Sequence, residues 1–187
     1  MTNFKTLFSP LRYPGSKRGL VDYINQVLEI NNLRPSLYIE PFIGGGSVAI
    51  NLLNRNLVDK VLLIDLDPWI TSFWQTLFFD TQWLVNQIET MHVSLENWYT
   101  YKNANPTSIR DQALTCFYLN RTSFSGILEG RAGPIGGKQQ KSKYSIDCRF
   151  TETTRKAIIQ RIEKISQFRS YIYGIWNCCW GDAVRRI

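Results

Sequence analysis

The sequence lacks the residue clusters that usually hold a metal. It contains one histidine, His92, and its four cysteines, Cys116, Cys148, Cys178 and Cys179, form no Cys-x-x-Cys pair. Zinc sites need several such ligands at short spacing. We therefore expect no metal site, and we expect the cysteines to be reduced and mostly buried thiols.

Long hydrophobic runs are also absent. No apolar stretch reaches the roughly 18 residues that a membrane-spanning helix requires, and the first five residues, MTNFK, carry no apolar signal core. We therefore expect neither a membrane span nor secretion, and predict a cytoplasmic protein. With 187 residues and 44% hydrophobic residues, the chain is long and apolar enough for one folded domain, which we expect to be monomeric.

Excess positive charge is confined to one part of the chain. Residues 121–187 carry 13 Lys/Arg against 5 Asp/Glu, whereas residues 1–120 carry 9 against 10. A basic segment beside a nearly neutral one favours an acidic polymer as partner, with nucleic acid first. The alternative is a solvated basic surface without a ligand.

A glycine-rich turn, Gly44–Gly46, carries the strongest local signal. It follows a short apolar strand predicted over Leu37–Ile39 and precedes a helical pattern. A second apolar strand, Val61–Ile64, ends at Asp65. Glycine lets the backbone turn tightly and approach a ligand. In doubly wound sheets an acid at the end of the next strand accepts the ribose hydroxyls of a nucleoside.

The glycine turn does not complete either common phosphate-binding motif. Ala49 stands where the dinucleotide fingerprint would have its third glycine, and no Gly-Lys-Ser/Thr follows. A ligand with an adenosine and no phosphate, such as S-adenosylmethionine, fits these residues better. A nicotinamide nucleotide and a turn without any ligand are the alternatives.

The order of predicted elements indicates an α/β fold. Strand and helix alternate at both ends of the chain, and a third apolar strand is predicted over Tyr171–Trp176. This alternation is typical of a parallel, Rossmann-like sheet. We expect residues 1–80 and 151–187 to form this domain, incomplete at its C-terminal end and with an exposed sheet edge.

Residues 81–150 interrupt the alternation, and we interpret them as an inserted region. We predict two short helices up to residue 105 and a third over Ile109–Tyr118. The glycine-rich basic loop Gly130–Lys143 then opens a β-hairpin that continues through Tyr144–Phe150. The inserted region therefore carries the basic loop.

Four blocks in order carry a resemblance to a known family. They are Leu11–Lys17 (LRYPGSK), Glu40–Ser47 (EPFIGGGS), Leu63–Asp67 (LIDLD) and Leu119–Gly126 (LNRTSFSG). Together they resemble the Dam-like DNA adenine-N6 methyltransferases, and the match extends over essentially the whole chain. The resemblance implies a methyltransferase sheet, S-adenosylmethionine as methyl donor and double-stranded DNA as substrate. It leaves open whether the role is restriction-modification, phage or housekeeping.

The resemblance also implies roles for individual residues. It assigns the methyl donor's site to Tyr13, Pro14, Lys17, Phe42, Gly44, Gly46, Asp65 and Asp182. It assigns DNA contacts to Asn120, Arg121, Thr122, Arg131, Lys138, Lys141 and Lys143. Other interpretations exist for three of them: an exposed lysine at a helix start for Lys17, a helix cap for Asp182 and a surface ion pair for Arg121.

The family's catalytic motif, Asp/Asn/Ser-Pro-Pro followed by an aromatic residue, is absent. The seven prolines stand at 10, 14, 35, 41, 68, 106 and 134, and no two are adjacent. No catalytic residue is therefore assigned, and we expect this chain alone to bind donor and DNA weakly without methylating. It is then one half of a split enzyme that needs a complementary C-terminal fragment, or a non-catalytic DNA-binding remnant. A methyltransferase acting on RNA or a small molecule is a further alternative.

Overall fold

A computed structural model describes residues 6–128, 130, 132–178 and 182. Within them the chain forms three β-strands: β1, Tyr38–Glu40, β2, Val61–Asp65, and β3, Ile172–Asn177. It also forms seven α-helices: α1, Val21–Ile30, α2, Ser47–Asn54, α3, Pro68–Phe79, α4, Thr81–Thr90, α5, Leu95–Asn103, α6, Ile109–Thr122, and α7, Glu152–Ser166. The α/β class expected from the sequence is confirmed.

The three strands form one parallel sheet in the order β1-β2-β3. All five residues of β2 are buried, which is typical of a central parallel strand covered on both faces. Val61 and Leu63 belong to the main core, whereas Leu62 and Ile64 face a smaller cluster on the other side. The carboxyl ends of β1 and β2 therefore meet at one edge of the sheet.

The main core lies between the sheet and the helices, and aromatic side chains fill it. Phe73 and Trp74 of α3 are fully buried, and the rings of Phe73 and Phe117 of α6 stack with centroids 6.1 Å apart. The aromatic residues of α3 are thus core residues. The main core also includes buried side chains from the region between Leu84 and Phe150, which pack in one cluster with Val61 and Leu63 of the sheet.

Several helices begin where a short polar side chain caps them. Asp67 Oδ1 accepts a hydrogen bond from Trp69 N at 2.8 Å, and Pro68 occupies the first position of α3, as the sequence predicts. Thr151 caps α7 by accepting from Thr154 N. α6 runs four residues beyond the predicted end at Tyr118, and this last turn is buried on all sides, since residues 119–122 are all buried.

The hairpin predicted after residue 130 is not a feature of the structure. Residue 130 and residues 132–150 form turns, with one isolated antiparallel bridge between Ser123 and Pro134. The side-chain amide of Gln140 makes hydrogen bonds to backbone groups that two paired strands would otherwise make to each other. It donates to the carbonyls of Ile135 and Gly137, both at 2.8 Å, and accepts from Ile146 N at 2.9 Å. The hairpin prediction was wrong for these residues.

A buried amide joins α6 to the opening loop. Asn120 is fully buried, and its Oδ1 accepts from Arg12 N at 2.7 Å. Its Nδ2 donates to Arg12 O at 2.7 Å and to Gly126 O at 3.1 Å. Asn120 thus fixes residue 12 and the start of the basic segment at once. None of the helices in the described part of the chain is long and apolar enough to cross a bilayer.

Asn120→Ala should lower the free energy of unfolding by about 2–4 kcal/mol, because it leaves one buried and two partly buried backbone groups unsatisfied. Urea denaturation followed by circular dichroism measures the change. The control is Asn86→Ala on the exposed face of α4, which should change stability little. Equal stability of the two variants would contradict the role assigned to Asn120.

Candidate functional site

The glycine turn connects β1 to α2 in a conformation that favours glycine. Gly44 has φ 43° and Gly46 has φ 62°, both in the left-handed region. The carbonyl of Gly44 accepts a hydrogen bond from Trp74 Nε1 at 2.9 Å. A Cβ added at Gly46 would lie 2.7 Å from the Trp74 ring. Close packing and backbone conformation therefore both require glycine here.

Asp65 fixes the glycine turn from the end of β2. Its carboxylate is buried; Oδ2 accepts from Gly44 N at 2.9 Å, and Oδ1 accepts from Asp67 N at 3.1 Å. Each carboxylate oxygen has a second lone pair and can accept one more hydrogen bond. The structure thus brings the sequence-predicted acid and the sequence-predicted turn into direct contact.

The opening loop lies over the glycine turn. An ideal Cβ at Gly44 would come within 2.6 Å of the Tyr13 ring, so the ring packs closely on the turn. Burial raises the pKa of Tyr13, and the charges of Asp65 and Asp67 raise it further. Lys17 begins a short 3₁₀ segment, Lys17–Leu20, and is exposed. Only about 10 Å³ of space is left between the loop and the turn.

Glu40 is a residue of this site that the sequence analysis did not assign. It ends β1 with 5% of its surface exposed, and its Oε2 accepts from Ala49 N at 2.8 Å. Burial raises the pKa of Glu40 to about 7, against the lowering effects of the Ala49 N–H and of Lys17. The sequence signal that could have identified Glu40 is its position at the end of the strand that leads into the glycine turn. Glu40 and Lys17 line the same small cavity and supply opposite charges there.

Three further predicted donor-site residues differ in placement. Phe42 lies in the turn with 58% of its surface exposed and lines the cavity with Lys17. Pro14 is exposed and lines two neighbouring cavities. Asp182 is half-buried and helical, but residues 179–181 and 183–187 lie outside the described residues. The structure therefore brings together the residues of the opening loop, the turn and β2.

The residues predicted to begin the DNA-contacting segment are inside the protein. Asn120, Arg121 and Thr122 are 0%, 5% and 0% exposed. Thr122 Oγ1 donates to Tyr118 O at 2.7 Å, and Arg121 Nη2 donates to Pro10 O. A contact with a phosphate or a base edge needs an exposed side chain. The expectation of direct contact is therefore corrected: these residues hold α6 against the opening loop.

The remaining predicted DNA-contacting residues lie on the surface. Lys138, Lys141 and Lys143 are exposed on the turns after the bridge at Pro134, whereas Arg131 lies outside the described residues. Phe124, just after α6, is 67% exposed. No group of three or more potential metal ligands occurs within the described ranges.

Comparison with known proteins connects these features to one family. A protein-family model described as "D12 class N6 adenine-specific DNA methyltransferase" matches residues 13–171 of the chain. The chain is 28% identical over 126 residues to a Vibrio cholerae protein named DNA adenine methylase, an alignment covering 63% of this chain and 42% of that protein. It is 24% identical over 133 residues to Type II methyltransferase M.MjaIII of Methanocaldococcus jannaschii, covering 63% and 46%. The chain spans less than half the length of these curated relatives.

Gly46→Ala should destabilise the protein by about 2–4 kcal/mol, because it combines a positive φ with a collision against Trp74. The melting temperature measures the loss. Gly133→Ala is the matched control, because nothing lies within 4 Å of the added Cβ and its φ is outside the left-handed region. A Gly46→Ala variant as stable as the control would contradict the packing described here.

The raised pKa of Glu40 predicts a pH-dependent effect. An acid whose pKa is higher in the folded state contributes stability below its unfolded pKa, and this contribution is lost as pH rises through about 7. Glu40→Gln should therefore be more stable than the parent chain at pH 8, by up to about 3 kcal/mol, and should lose this advantage near pH 5.

Urea denaturation at pH 5, 6, 7 and 8 tests the expectation for Glu40. The control is Glu29→Gln, since Glu29 is exposed on α1. A stability difference for Glu40→Gln that does not vary with pH would rule out titration of Glu40 in this range.

Proposed function

Because the chain belongs to the D12 class N6 adenine-specific DNA methyltransferase family, we propose that it binds S-adenosylmethionine at the glycine turn and serves methyl transfer to adenine N6 in double-stranded DNA. The observation that carries this proposal is the contact of Asp65 with Gly44, at the carboxyl ends of β1 and β2. Nucleosides bind at this edge of parallel sheets.

The residues around the turn fit the chemical groups of the donor. Asp65 has lone pairs left for ribose hydroxyls. Lys17 offers a cation for the donor's carboxylate, and Glu40 offers a carboxylate for its ammonium group. Tyr13 packs on the glycines and leaves only about 10 Å³ there, so binding of the donor requires this ring to move away. When bound, the donor supplies the activated methyl group; these side chains bind and orient it.

The proposal includes duplex DNA as the acidic partner. Lys138, Lys141 and Lys143 expose three cations on one turn segment, and such cations neutralise backbone phosphates. We propose that these residues, with Arg131, bind the backbone near the target adenine. A cytoplasmic location and a monomeric chain belong to the same proposal. An RNA substrate is the alternative, and competition between duplex DNA and RNA of equal length distinguishes the two.

We further propose that these 187 residues do not methylate without a partner. The family presents the flipped adenine to the donor with an Asp/Asn/Ser-Pro-Pro-aromatic motif, and the chain has no two adjacent prolines. The chain would then act with a complementary segment that carries this motif. A non-catalytic DNA-binding role is the second candidate, supported by the same absence.

Lys17→Ala should weaken binding of S-adenosylhomocysteine about tenfold, because one charge-assisted hydrogen bond to the ligand's carboxylate is lost. Isothermal titration calorimetry measures the dissociation constant. Lys60→Ala, which removes an exposed lysine just before β2, is the control. Equal loss of affinity in both variants would refute the role proposed for Lys17.

The purified chain should transfer no methyl group from tritiated S-adenosylmethionine to unmethylated duplex DNA. Scintillation counting of the recovered DNA measures incorporation. Incorporation that Lys17→Ala abolishes would show that the chain is catalytic by itself, against the proposal.

A further inference from the structure

Two arginines beside the opening loop carry buried nitrogen atoms without a partner. Arg12 Nη1 and Arg121 Nε make no hydrogen bond within the described residues, although both atoms are buried. Arg121 as a whole is 5% exposed. A buried cation is costly unless it is paired. Each of these two arginines therefore has one N–H donor that no described protein group satisfies.

The charges around these arginines repel one another. Burial lowers the pKa of Arg121 to about 9, and the charges of Arg12 and Arg161 lower it further. Burial and the charge of Arg149 lower the pKa of Arg12. Within the described residues, the ion pairs involve other basic side chains, namely Arg34, Arg55, Arg110 and Lys156. Among the described residues, none of the arginines in this cluster forms an ion pair with a carboxylate, so their positive charges add up.

An open cavity of about 600 Å³ lies beside this cluster. Arg12 and Arg18 line it, and the hydroxyl-bearing Ser16 and Ser125 lie on its wall. Two guanidinium groups contact the ring of Phe8, with Arg18 Cζ at 5.1 Å and Arg161 Cζ at 5.7 Å from its centroid. The cavity is thus large enough for an anion and is lined by its natural donors.

We propose that this cavity binds one phosphodiester group of the nucleic-acid backbone, with Arg12 and Arg18 as direct ligands. Arg121 lies behind the loop and adds positive potential. The planar guanidinium group matches the two free oxygens of a phosphodiester. This proposal rests on the proposed function, because it adds a backbone anchor to the same DNA site.

The position of the cavity favours a backbone phosphate over a free ion. Tyr13 and Ser16 line both this cavity and the small space at the glycine turn. The exposed Phe124 directly precedes Ser125 on its wall. A phosphate held here would therefore place the nucleic acid next to the donor's turn. A free phosphate would gain nothing from that proximity.

The first test measures binding of a fluorescein-labelled unmethylated duplex by anisotropy over a range of salt concentrations. Arg12→Gln should weaken binding about tenfold and reduce the slope of log affinity against log salt by about one. Arg12→Lys keeps the charge but loses the planar fork, and should give an intermediate affinity. The control is Arg34→Gln, an exposed arginine paired with Asp59, which should match the parent chain.

The second test measures the melting temperature with inorganic phosphate and with chloride at equal ionic strength. Phosphate should raise it for the parent chain and for Arg34→Gln, but not for Arg12→Gln. Without phosphate, Arg12→Gln should melt no lower than the parent chain, since a repulsive charge is removed.

The outcomes separate this site from the proposed function. Parent-like DNA binding by Arg12→Gln overturns the site and leaves the proposed function standing. Stabilisation by phosphate without any binding of the duplex overturns the phosphodiester assignment together with the proposed DNA substrate. A lower melting temperature of Arg12→Gln that accompanies weaker DNA binding assigns Arg12 to structure and also overturns the site.

Discussion

The contact of Asp65 with Gly44 is the constraint on which the rest of the site depends. The carboxylate holds the N–H of Gly44, and Trp74 Nε1 holds its carbonyl, so one residue of the turn is fixed from β2 and from α3. Without these two bonds, both backbone groups of Gly44 would need water in a nearly closed space. The sheet, the helical core and the candidate site are thereby joined at a single residue, Gly44.

A second constraint acts from the opposite side of the site. Asn120 holds the backbone of Arg12, whose charge acts on Arg121 and is itself influenced by Arg149. The opening loop is therefore fixed between the glycine turn, through Tyr13, and α6. One loop then separates the proposed donor site from the proposed phosphate anchor. The position of this loop therefore determines how far apart the proposed methyl donor and the proposed phosphate lie.

Local signals predicted the elements that depend on neighbouring residues. The cap at Asp67, the apolar run of β2 and the glycine turn are all indicated by residue types within a few positions, and the structure has each of them. The hairpin after residue 130 failed because the side chain of Gln140 satisfies backbone groups there. The pattern of hydrophobic residues cannot show that a side chain takes the place of backbone hydrogen bonds between strands.

The sequence by itself determined the α/β class, the family and the positions of the turn and of its acid, because these follow from short motifs and local propensity. Only the tertiary structure decided which charged residues are accessible. It placed Arg121 inside, raised the pKa of Glu40 and put Arg12 beside an open cavity, because burial depends on which distant elements pack together. Packing therefore decides whether an arginine stabilises the fold, as Arg121 does, or is available to a ligand, as we propose for Arg12.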